Sequence, residues 1–175
     1  DYRINNIETG SYDDVIGNIN SVLQYESFSD NLDANIPGGE LAKYAGDRIN
    51  TTYHLYEDWY QVIKYCNIII GEMRSRDGVV PKQLMASCYA LKGVCYYNLM
   101  RNFCEPYDKS RADSQMGVPI VEEFDVEAKP IRSSLKETAE YTLSLFTKSL
   151  EFNITSDRYF FTPDIVKAFM AKTYF

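Results

Sequence analysis

Histidine is nearly absent from this sequence of 175 residues, and its scarcity excludes several kinds of chemistry. His54 is the only histidine, it lies at the start of a predicted helix, and no G-x-S-x-G elbow occurs anywhere in the chain. A hydrolytic triad needs a base beside its nucleophile, so we expect none. The four cysteines form no C-x-x-C pair, and one histidine cannot complete a zinc site with them. We therefore predict no catalytic residue, no metal centre and no cofactor.

Long apolar runs and an excess of basic residues are missing as well. No stretch approaches the roughly 18 to 20 apolar residues that a bilayer-spanning helix requires. The chain carries 18 basic and 25 acidic residues, which gives a net charge of −7. Because nucleic-acid backbones bind basic surfaces, nucleic acid is not an expected partner. The "PGGE" turn at Pro37 lacks the lysine and the spacing of a P-loop, so nucleotide binding has no support either.

Helical periodicity is what the sequence does contain. Apolar residues recur at intervals of three and four, and the two-residue alternation of strands is nearly absent. The length suits one domain with its own core, so we predict a single all-α domain over residues 1–175. Five helices are expected. The first three run from Ser11 to about Tyr25, from about His54 to Ser75 and from Pro81 to Phe103, and the last two begin at Ser134 and at Thr162.

Start signals mark the last two of these helices. Ser134 is followed three residues later by Glu137, which is the pattern of a capping box. Thr162, Pro163 and Asp164 supply an N-cap residue, a first-turn proline and an acidic first turn. The fifth helix has no stop signal in "IVKAFMAKTYF", so we expect the sequence to be part of a longer chain.

Short links and one glycine indicate how the helices pack. Only residues 76–80 join the second and third helices, and residues 153–161 join the fourth and fifth, which favours two antiparallel hairpins. Gly93 inside the third helix costs about 1 kcal/mol relative to alanine. We therefore predict that a neighbouring helix passes too close there for a larger side chain, as in tetratricopeptide-like packing. On the fifth helix, Ile165 and Phe169 have no evident partner, so we expect exposed apolar area there.

Two long stretches, 26–53 and 104–132, lack a helical pattern, and irregular segments of this length are usually functional. Tyrosine is also frequent, with 15 in 175 residues, so several tyrosines must face outward. Aromatic faces stack on sugar rings, while Arg, Asp and Asn fix sugar hydroxyls. The candidate ligand-binding residues are Tyr44, Asp47, Arg48, Asn50 and Tyr53. The alternative is that these tyrosines only pack the loop onto the helices.

Five segments, in order, carry a family resemblance. Residues 59–70 (WYQVIKYCNIII) look like a W-x-x-x-Y/I-x-x-x-N helix, and residues 86–107 (ASCYALKGVCYYNLMRNFCEPY) look like A-x-x-x-R-A-x-x-Y-x-x-L-x-x-x-F-G-x-P-Y. Residues 117–121 (GVPIV) look like G-V-P-L-V, residues 132–151 are similar to R-x-S-x-x-E-x-Y-x-x-I-x-x-D-L, and the fifth helix is similar to A-x-A-x-x-A-x-x-Y. In these segments the chain resembles the RagB/SusD family, the surface nutrient-binding lipoproteins of Bacteroidetes.

The sequence departs from the family pattern at particular residues. The usual Arg-Ala pair is missing from the second segment, and Cys104 replaces the usual glycine after the aromatic residue. These departures affect local contacts more than the fold. The family chain is also much longer, so the resemblance implies that this sequence is an N-terminal part without the lipidated cysteine and the C-terminal portion.

The resemblance implies a SusD-like N-terminal portion, with tetratricopeptide-like helical hairpins and long irregular loops. It also implies a non-catalytic protein, lipid-anchored at the outer membrane and exposed at the cell surface. Such a protein binds an oligosaccharide and docks onto a SusC-like TonB-dependent transporter. The alternative is a helical-repeat module for protein–protein interaction that binds no glycan. The resemblance also implies that the apolar face of the second helix is core rather than a ligand platform. The residues of this face are Trp59, Val62, Ile63, Cys66 and Ile70.

Overall fold

The computed structural model describes residues 50–75, 81–152 and 161–174. The chain divides into two compact units, residues 1–58 and residues 59–175. Most of the described residues belong to the second unit, and the contacts reported below lie within it. The predicted helix from Ser11 to Tyr25 lies outside the described residues, and the single domain over residues 1–175 stays a prediction.

Helices make up most of the described chain, which confirms the predicted all-α class. The elements in order are α1 (Asn50–Ser75), α2 (Lys82–Phe103), β1 (Met116–Pro119), β2 (Arg132–Ser134), α3 (Leu135–Glu151) and α4 (Pro163–Tyr174). The two strands form a small antiparallel ribbon that the sequence analysis did not predict. Strands of three and four residues are too short to show a recognisable alternation.

Local signals place the helix boundaries closely. Ser134 caps α3: its Oγ accepts a hydrogen bond from the Glu137 N–H, and the Glu137 carboxylate accepts one from the Ser134 N–H, so the predicted capping box is confirmed. Pro163 is the first residue of α4, as predicted. Pro81 stands just before α2 rather than inside its first turn. Helix α1 begins at Asn50, four residues earlier than predicted, since Asn and Thr are common at helix starts and fix the boundary poorly.

Helices α1 and α2 are antiparallel neighbours. The rings of Tyr60 and Tyr96 meet edge to face at 6.5 Å. Further along α1, the Arg74 guanidinium donates to the Tyr89 hydroxyl at 2.7 Å. The contact nearer the N-terminus of α1 is the one nearer the C-terminus of α2. The two helices therefore run in opposite directions, which confirms the predicted hairpin.

Helix α3 packs on α2 in the same antiparallel sense. Tyr141 meets Tyr96 edge to face at 5.1 Å, and the Ser149 hydroxyl donates to the Ala86 carbonyl at 2.7 Å. Between these two contacts, a Cβ added to Gly93 would stand 2.6 Å from the ring of Phe146. The prediction of a close helix approach at this glycine is therefore confirmed.

The core lies between these helices. Trp59, Val62, Ile63, Cys66 and Ile70 are all buried, with Trp59 only 2% exposed. The prediction that this face of α1 is core rather than a ligand platform is confirmed. On α2, buried residues occupy nearly every turn, from Met85 to Leu99. Beside this core, backbone groups of Pro119, Val121 and Glu122 hydrogen-bond to side chains of α1 and α2.

Helix α4 covers one end of this core. Val166 is 1% exposed and packs in a cluster with Ala90, Val94 and Phe146. Phe169 stacks on Phe146 at 6.2 Å and meets Tyr97 at 5.9 Å. The expectation that Phe169 has no partner is thus wrong, because the packing of α4 on α2 and α3 supplies one. Ile165 is 43% exposed, as expected.

Candidate functional site

The predicted ligand-binding residues fall largely outside the described chain. Tyr44, Asp47 and Arg48 lie outside the described residues. Asn50 and Tyr53 lie in the first turns of α1, which corrects the expectation that the irregular stretch extends to Tyr53. The site built from these five residues stays a prediction. The second irregular stretch, residues 104–131, is described in full, and it contains two features on which a site can be built.

The first feature is the clasped segment, residues 119–122, which follows β1 and crosses the α1–α2 pair. From α1, the Tyr60 hydroxyl donates to the Pro119 carbonyl at 2.7 Å. Two turns further along, the Asn67 amide donates to the Val121 carbonyl at 3.1 Å. Tyr60 and Asn67 are seven residues apart and so project from the same side of the helix. Helix α1 therefore holds the segment at two points.

Helix α2 holds the same segment from the other side. The Val121 N–H donates to the Tyr96 hydroxyl oxygen at 2.8 Å. The Lys92 ammonium donates to the Glu122 carbonyl at 3.1 Å. Two helices thus form four hydrogen bonds with three residues of this segment, Pro119, Val121 and Glu122, and all four partners are far away in sequence. This arrangement fixes the start of the exposed loop that follows, residues 122–131.

Lys92 is an unusual member of this group, because its side chain is buried. The residue is 2% exposed, and its ammonium lies 5.5 Å from the centre of the Tyr141 ring. Burial lowers the pKa of Lys92 to about 8, with Cys66 and Glu122 partly opposing the shift. The sequence signal was a lysine placed inside the apolar run "YALKGVCYY" at a position where the helical period predicts core.

The second feature is an open cavity of about 440 Å³ at the C-terminal end of α2. Its walls come from the end of the helix, from the following turn and from the ribbon. The lining residues are Phe103, Cys104, Glu105, Arg111, Ser114, Gln115, Met116 and Arg132. All of them belong to the stretch 104–132 or touch its ends, which is the stretch that the sequence analysis singled out as functional.

Arg132 ties the walls of the cavity together. Its Nε donates to the Gly117 carbonyl at 2.7 Å, and its Nη2 donates to the Phe103 carbonyl at 3.2 Å. The guanidinium therefore joins the ribbon to the last turn of α2. Burial raises the pKa of the Cys104 thiol, and the nearby Arg132 guanidinium opposes this shift only in part.

A buried glutamine and an exposed ion pair shape the opposite wall. Gln115 is 6% exposed, and its amide nitrogen donates to the Pro106 carbonyl at 2.9 Å while its oxygen accepts from the Asp108 N–H at 3.1 Å. Arg111 pairs with Asp108 at 2.8 Å. Hydrogen bonds from Ser110 and Arg111 lower the pKa of the Asp108 carboxyl. The buried Gln115 and the exposed Arg111–Asp108 pair therefore hold the turn that begins at Pro106 in one conformation.

The chemistry of the cavity suits a polar organic ligand. Guanidinium, carboxylate and amide groups stand beside the apolar side chains of Phe103 and Met116, a combination that binds hydroxyl groups and apolar ring faces together. Across the part of the chain that the structure describes, no three His, Cys, Asp or Glu residues are grouped to hold a metal ion. None of the helices described is both long and apolar enough to cross a bilayer.

Comparison with known proteins gives one family. The family model SusD-like_3, described as starch-binding and associating with the outer membrane, matches residues 3–174. No curated protein matches the chain. Both of these comparisons use the sequence, whereas the next one uses the fold of the described residues.

Two solved structures are similar to the chain in fold. One is a SusD superfamily protein from Bacteroides thetaiotaomicron VPI-5482, with a TM-score of 0.61 and 24% identity over 69% of this chain and 28% of that one. The other is a SusD-like carbohydrate binding protein from Bacteroides vulgatus ATCC 8482, with a TM-score of 0.56 and 18% identity over 67% of this chain and 26% of that one. The chain therefore spans roughly a quarter of the length of these structures.

Proposed function

This chain belongs to the SusD-like family, and from that membership we propose that it is part of a non-catalytic protein that binds carbohydrate at the cell surface. The observation that carries the proposal is the family match over residues 3–174, whose description names starch binding and the outer membrane. The helical fold and the polar cavity at the end of α2 support it. The ligand of the whole protein is an oligosaccharide on this proposal.

We propose that the ligand contacts lie on the irregular stretches and on the first turns of α1 rather than on the buried helix faces. Tyr44, Asp47, Arg48, Asn50 and Tyr53 are the proposed binding residues, because they combine aromatic faces with planar polar groups. The cavity at the end of α2 is a proposed second contact region, in which Arg111 and Glu105 meet hydroxyl groups and Met116 meets a ring face. At the cavity, the end of α2 fixes the position of the loop that lines it.

The proposed partner is a SusC-like TonB-dependent transporter, to which the bound oligosaccharide is passed for import. A lipid anchor on the full-length protein would hold it at the outer membrane. Affinity-tagged full-length protein, purified from detergent-solubilised membranes of its host, is expected to retain one TonB-dependent transporter as a stoichiometric partner. Its absence from mild-detergent eluates would remove the transporter from the proposal and leave the binding activity untouched.

Isothermal titration of the full-length protein against a panel of glycans tests binding itself. We expect dissociation constants from μM to mM, about −8 to −4 kcal/mol, for an open site. Combined replacement of Tyr44, Arg48 and Tyr53 by alanine is expected to weaken binding at least tenfold. The matched control replaces Tyr65, Arg101 and Tyr174, which are the same residue types on exposed helix surfaces, and it should leave affinity within twofold.

The possible outcomes separate the site from the function. Unchanged affinity in the first variant would discard the five-residue site but keep glycan binding. No binding to any glycan would favour the alternative, a helical-repeat module that recognises another protein. An oligosaccharide recovered intact after long incubation with the protein is expected from a non-catalytic binder, whereas shortened products would identify an enzyme.

A further inference from the structure

The cavity at the end of α2 offers a ligand more hydrogen-bond donors than acceptors. Its lining contains two guanidinium groups, from Arg111 and Arg132, and one carboxylate, from Glu105. We propose that this cavity binds an acidic saccharide, whose carboxylate or sulfate group pairs with the Arg132 guanidinium. The inference rests on the proposed function, because it names the class of glycan that the second contact region takes.

Arg132 supplies the positive charge that such an anion meets. Its Nε donates to the Gly117 carbonyl at 2.7 Å, and its Nη2 donates to the Phe103 carbonyl at 3.2 Å. Both acceptors are neutral, and among the described residues no carboxylate pairs with this guanidinium. The group therefore has a fixed orientation, an uncompensated charge and further N–H donors that can bond an anion.

Arg111 contributes a second guanidinium to the same lining. Its Nε donates to the Asp108 carboxylate at 2.8 Å, which holds the group in place and offsets part of its charge. Within the part of the chain that the structure describes, neither Nη atom of Arg111 has a hydrogen-bond acceptor. These atoms can therefore bond ligand oxygens next to the anion that Arg132 binds.

The acceptors of the lining are mostly in use already. The Gln115 oxygen accepts from the Asp108 N–H at 3.1 Å, and the two carbonyls that Arg132 contacts are occupied by it. The Glu105 carboxylate accepts from the Gln115 amide at 3.3 Å. Because carboxylate and sulfate groups carry acceptors only, they match the donors that remain.

The shape of the cavity suits a saccharide rather than a bare ion. Its volume is about 440 Å³, and ligand sites in proteins typically measure roughly 300 to 1,000 Å³. Phe103 and Met116 give it apolar surface against which a sugar ring can pack. Glu105 repels an anion, so the acidic group of the ligand should lie at Arg132.

Matched ligand pairs test the inference on the wild-type, full-length protein. Oligogalacturonides and carrageenan oligosaccharides are added to the glycan panel, each with its carboxyl-reduced or desulfated form, and affinities are measured by isothermal titration. We expect the acidic member of at least one pair to bind about tenfold more tightly, because charge-assisted hydrogen bonds to a guanidinium are strong. The two pairs show whether carboxylate or sulfate is preferred. This acid preference should shrink between about 50 and about 500 mM NaCl, because salt screens exposed charges.

Charge variants of opposite sign test whether the anion binds in this cavity. Arg132→Gln removes the cation and should reduce the acid preference to about twofold or less. Glu105→Gln removes the repelling carboxylate and should at least double the preference. A gain cannot arise from a damaged fold, which is important because Arg132 also joins the ribbon to α2. The matched control is Arg101→Gln, at an exposed position of α2 outside the lining, and it should leave the preference unchanged.

The contrary results differ from one another. If every neutral form binds as tightly as its acidic counterpart, or if only neutral glycans bind, the inference is wrong and the proposed function stands. If an acid preference exists but changes in neither Arg132→Gln nor Glu105→Gln, the anion binds elsewhere on the protein and the inference is again wrong. If no glycan of the panel binds, the proposed function itself fails, and the inference falls with it.

Discussion

Helices α2 and α4 differ in how many neighbours they have, and this difference explains which residues each of them buries. Helix α2 lies between α1 and α3 and buries residues in every turn from Met85 to Leu99. Helix α4 packs by one side only, and Val166 is its one buried residue among those described. A helix with neighbours on two sides has no face left for polar side chains, so it must bury them with partners.

The polar residues of α2 confirm this reasoning. Lys92 donates to the Glu122 carbonyl, and the Asn98 amide donates to the Val94 carbonyl one turn earlier at 3.1 Å. On α4, by contrast, Lys172 lies over the ring of Phe169 near the surface, where its charge stays hydrated. A residue of α2 is therefore buried by several neighbouring elements at once, whereas a residue of α4 is buried only if it lies on the one face that packs against α2 and α3. The predictions below test this contrast.

The largest effect should come from two phenylalanines that stack on each other. Phe146 is fully buried against α2, whereas Phe169 on α4 is half-buried. Phe146→Ala is expected to lower the free energy of unfolding by roughly 3 to 5 kcal/mol. Phe169→Ala leaves a cavity that opens to solvent, so we expect about half that loss. Equilibrium denaturation in urea measures both, and equal losses would contradict the contrast between the two helices.

Two glycines give the next largest effect, with opposite signs. A methyl group at Gly93 meets the Phe146 ring, whereas one at Gly71 on α1 meets nothing within 4 Å. Gly93→Ala should therefore cost about 1 to 3 kcal/mol through overpacking. Gly71→Ala should gain up to about 1 kcal/mol from helix propensity. In a Phe146→Ala background the cost at Gly93 should largely disappear, and a double-mutant cycle that shows additive losses would rule out this contact as the cause.

Gly93 also illustrates what the sequence alone can predict. A glycine inside an apolar helical pattern has a cost, and the cost indicates a close neighbour whatever that neighbour is. The helix positions and the capping box at Ser134 were predicted for the same reason, because the signals lie within a few residues of one another. Such local rules correctly placed the described helices and the core face of α1.

The clasped segment could not be predicted in this way. Tyr60 and Pro119 are 59 residues apart, and Asn67 and Val121 are 54 residues apart. No local pattern encodes which carbonyl a tyrosine or asparagine will reach at such separations. The sequence predicted that the stretch 104–132 is functional, but it did not predict the cavity at the end of α2. That cavity depends on Arg132, which joins three segments that meet only after folding. The ribbon was missed because its strands are too short.

A smaller effect should appear in the pH dependence of stability. The pKa of Lys92 falls from 10.5 to about 8 on folding, so between these values the unfolded chain binds more protons than the folded one. Stability due to this group therefore rises with pH in that window, by about 1 kcal/mol from pH 8 to pH 9. Burial raises the pKa of the Cys95 thiol, which opposes this rise above about pH 9. Lys92→Met shares the thiols, so the difference between wild type and variant isolates the lysine.

Urea denaturation of both proteins at pH 8 and pH 9, in a reducing buffer, measures that difference. We expect the wild type to gain about 1 kcal/mol relative to Lys92→Met over this interval. The titratable and charged groups that face Lys92 are Cys66 and Arg74 from α1, Cys95 from α2, Glu122 from the clasped segment, and Tyr141 and Lys148 from α3. They are unchanged in the variant. Parallel pH profiles would mean that the ammonium is hydrated and that α2 does not bury it.

The smallest effect is expected on the outer face of α4. Ile165 is 43% exposed, so replacing it with lysine removes little buried apolar area and keeps a good helix former in the first turns. We expect Ile165→Lys to change the free energy of unfolding of this chain by no more than about 0.5 kcal/mol. Val166→Ala, one residue away but buried in the cluster with Ala90 and Phe146, should cost more than that. If Ile165→Lys lowered the free energy of unfolding more than Val166→Ala, α4 would bury a second face. Helices α4 and α2 would then differ only in how much of their surface is buried.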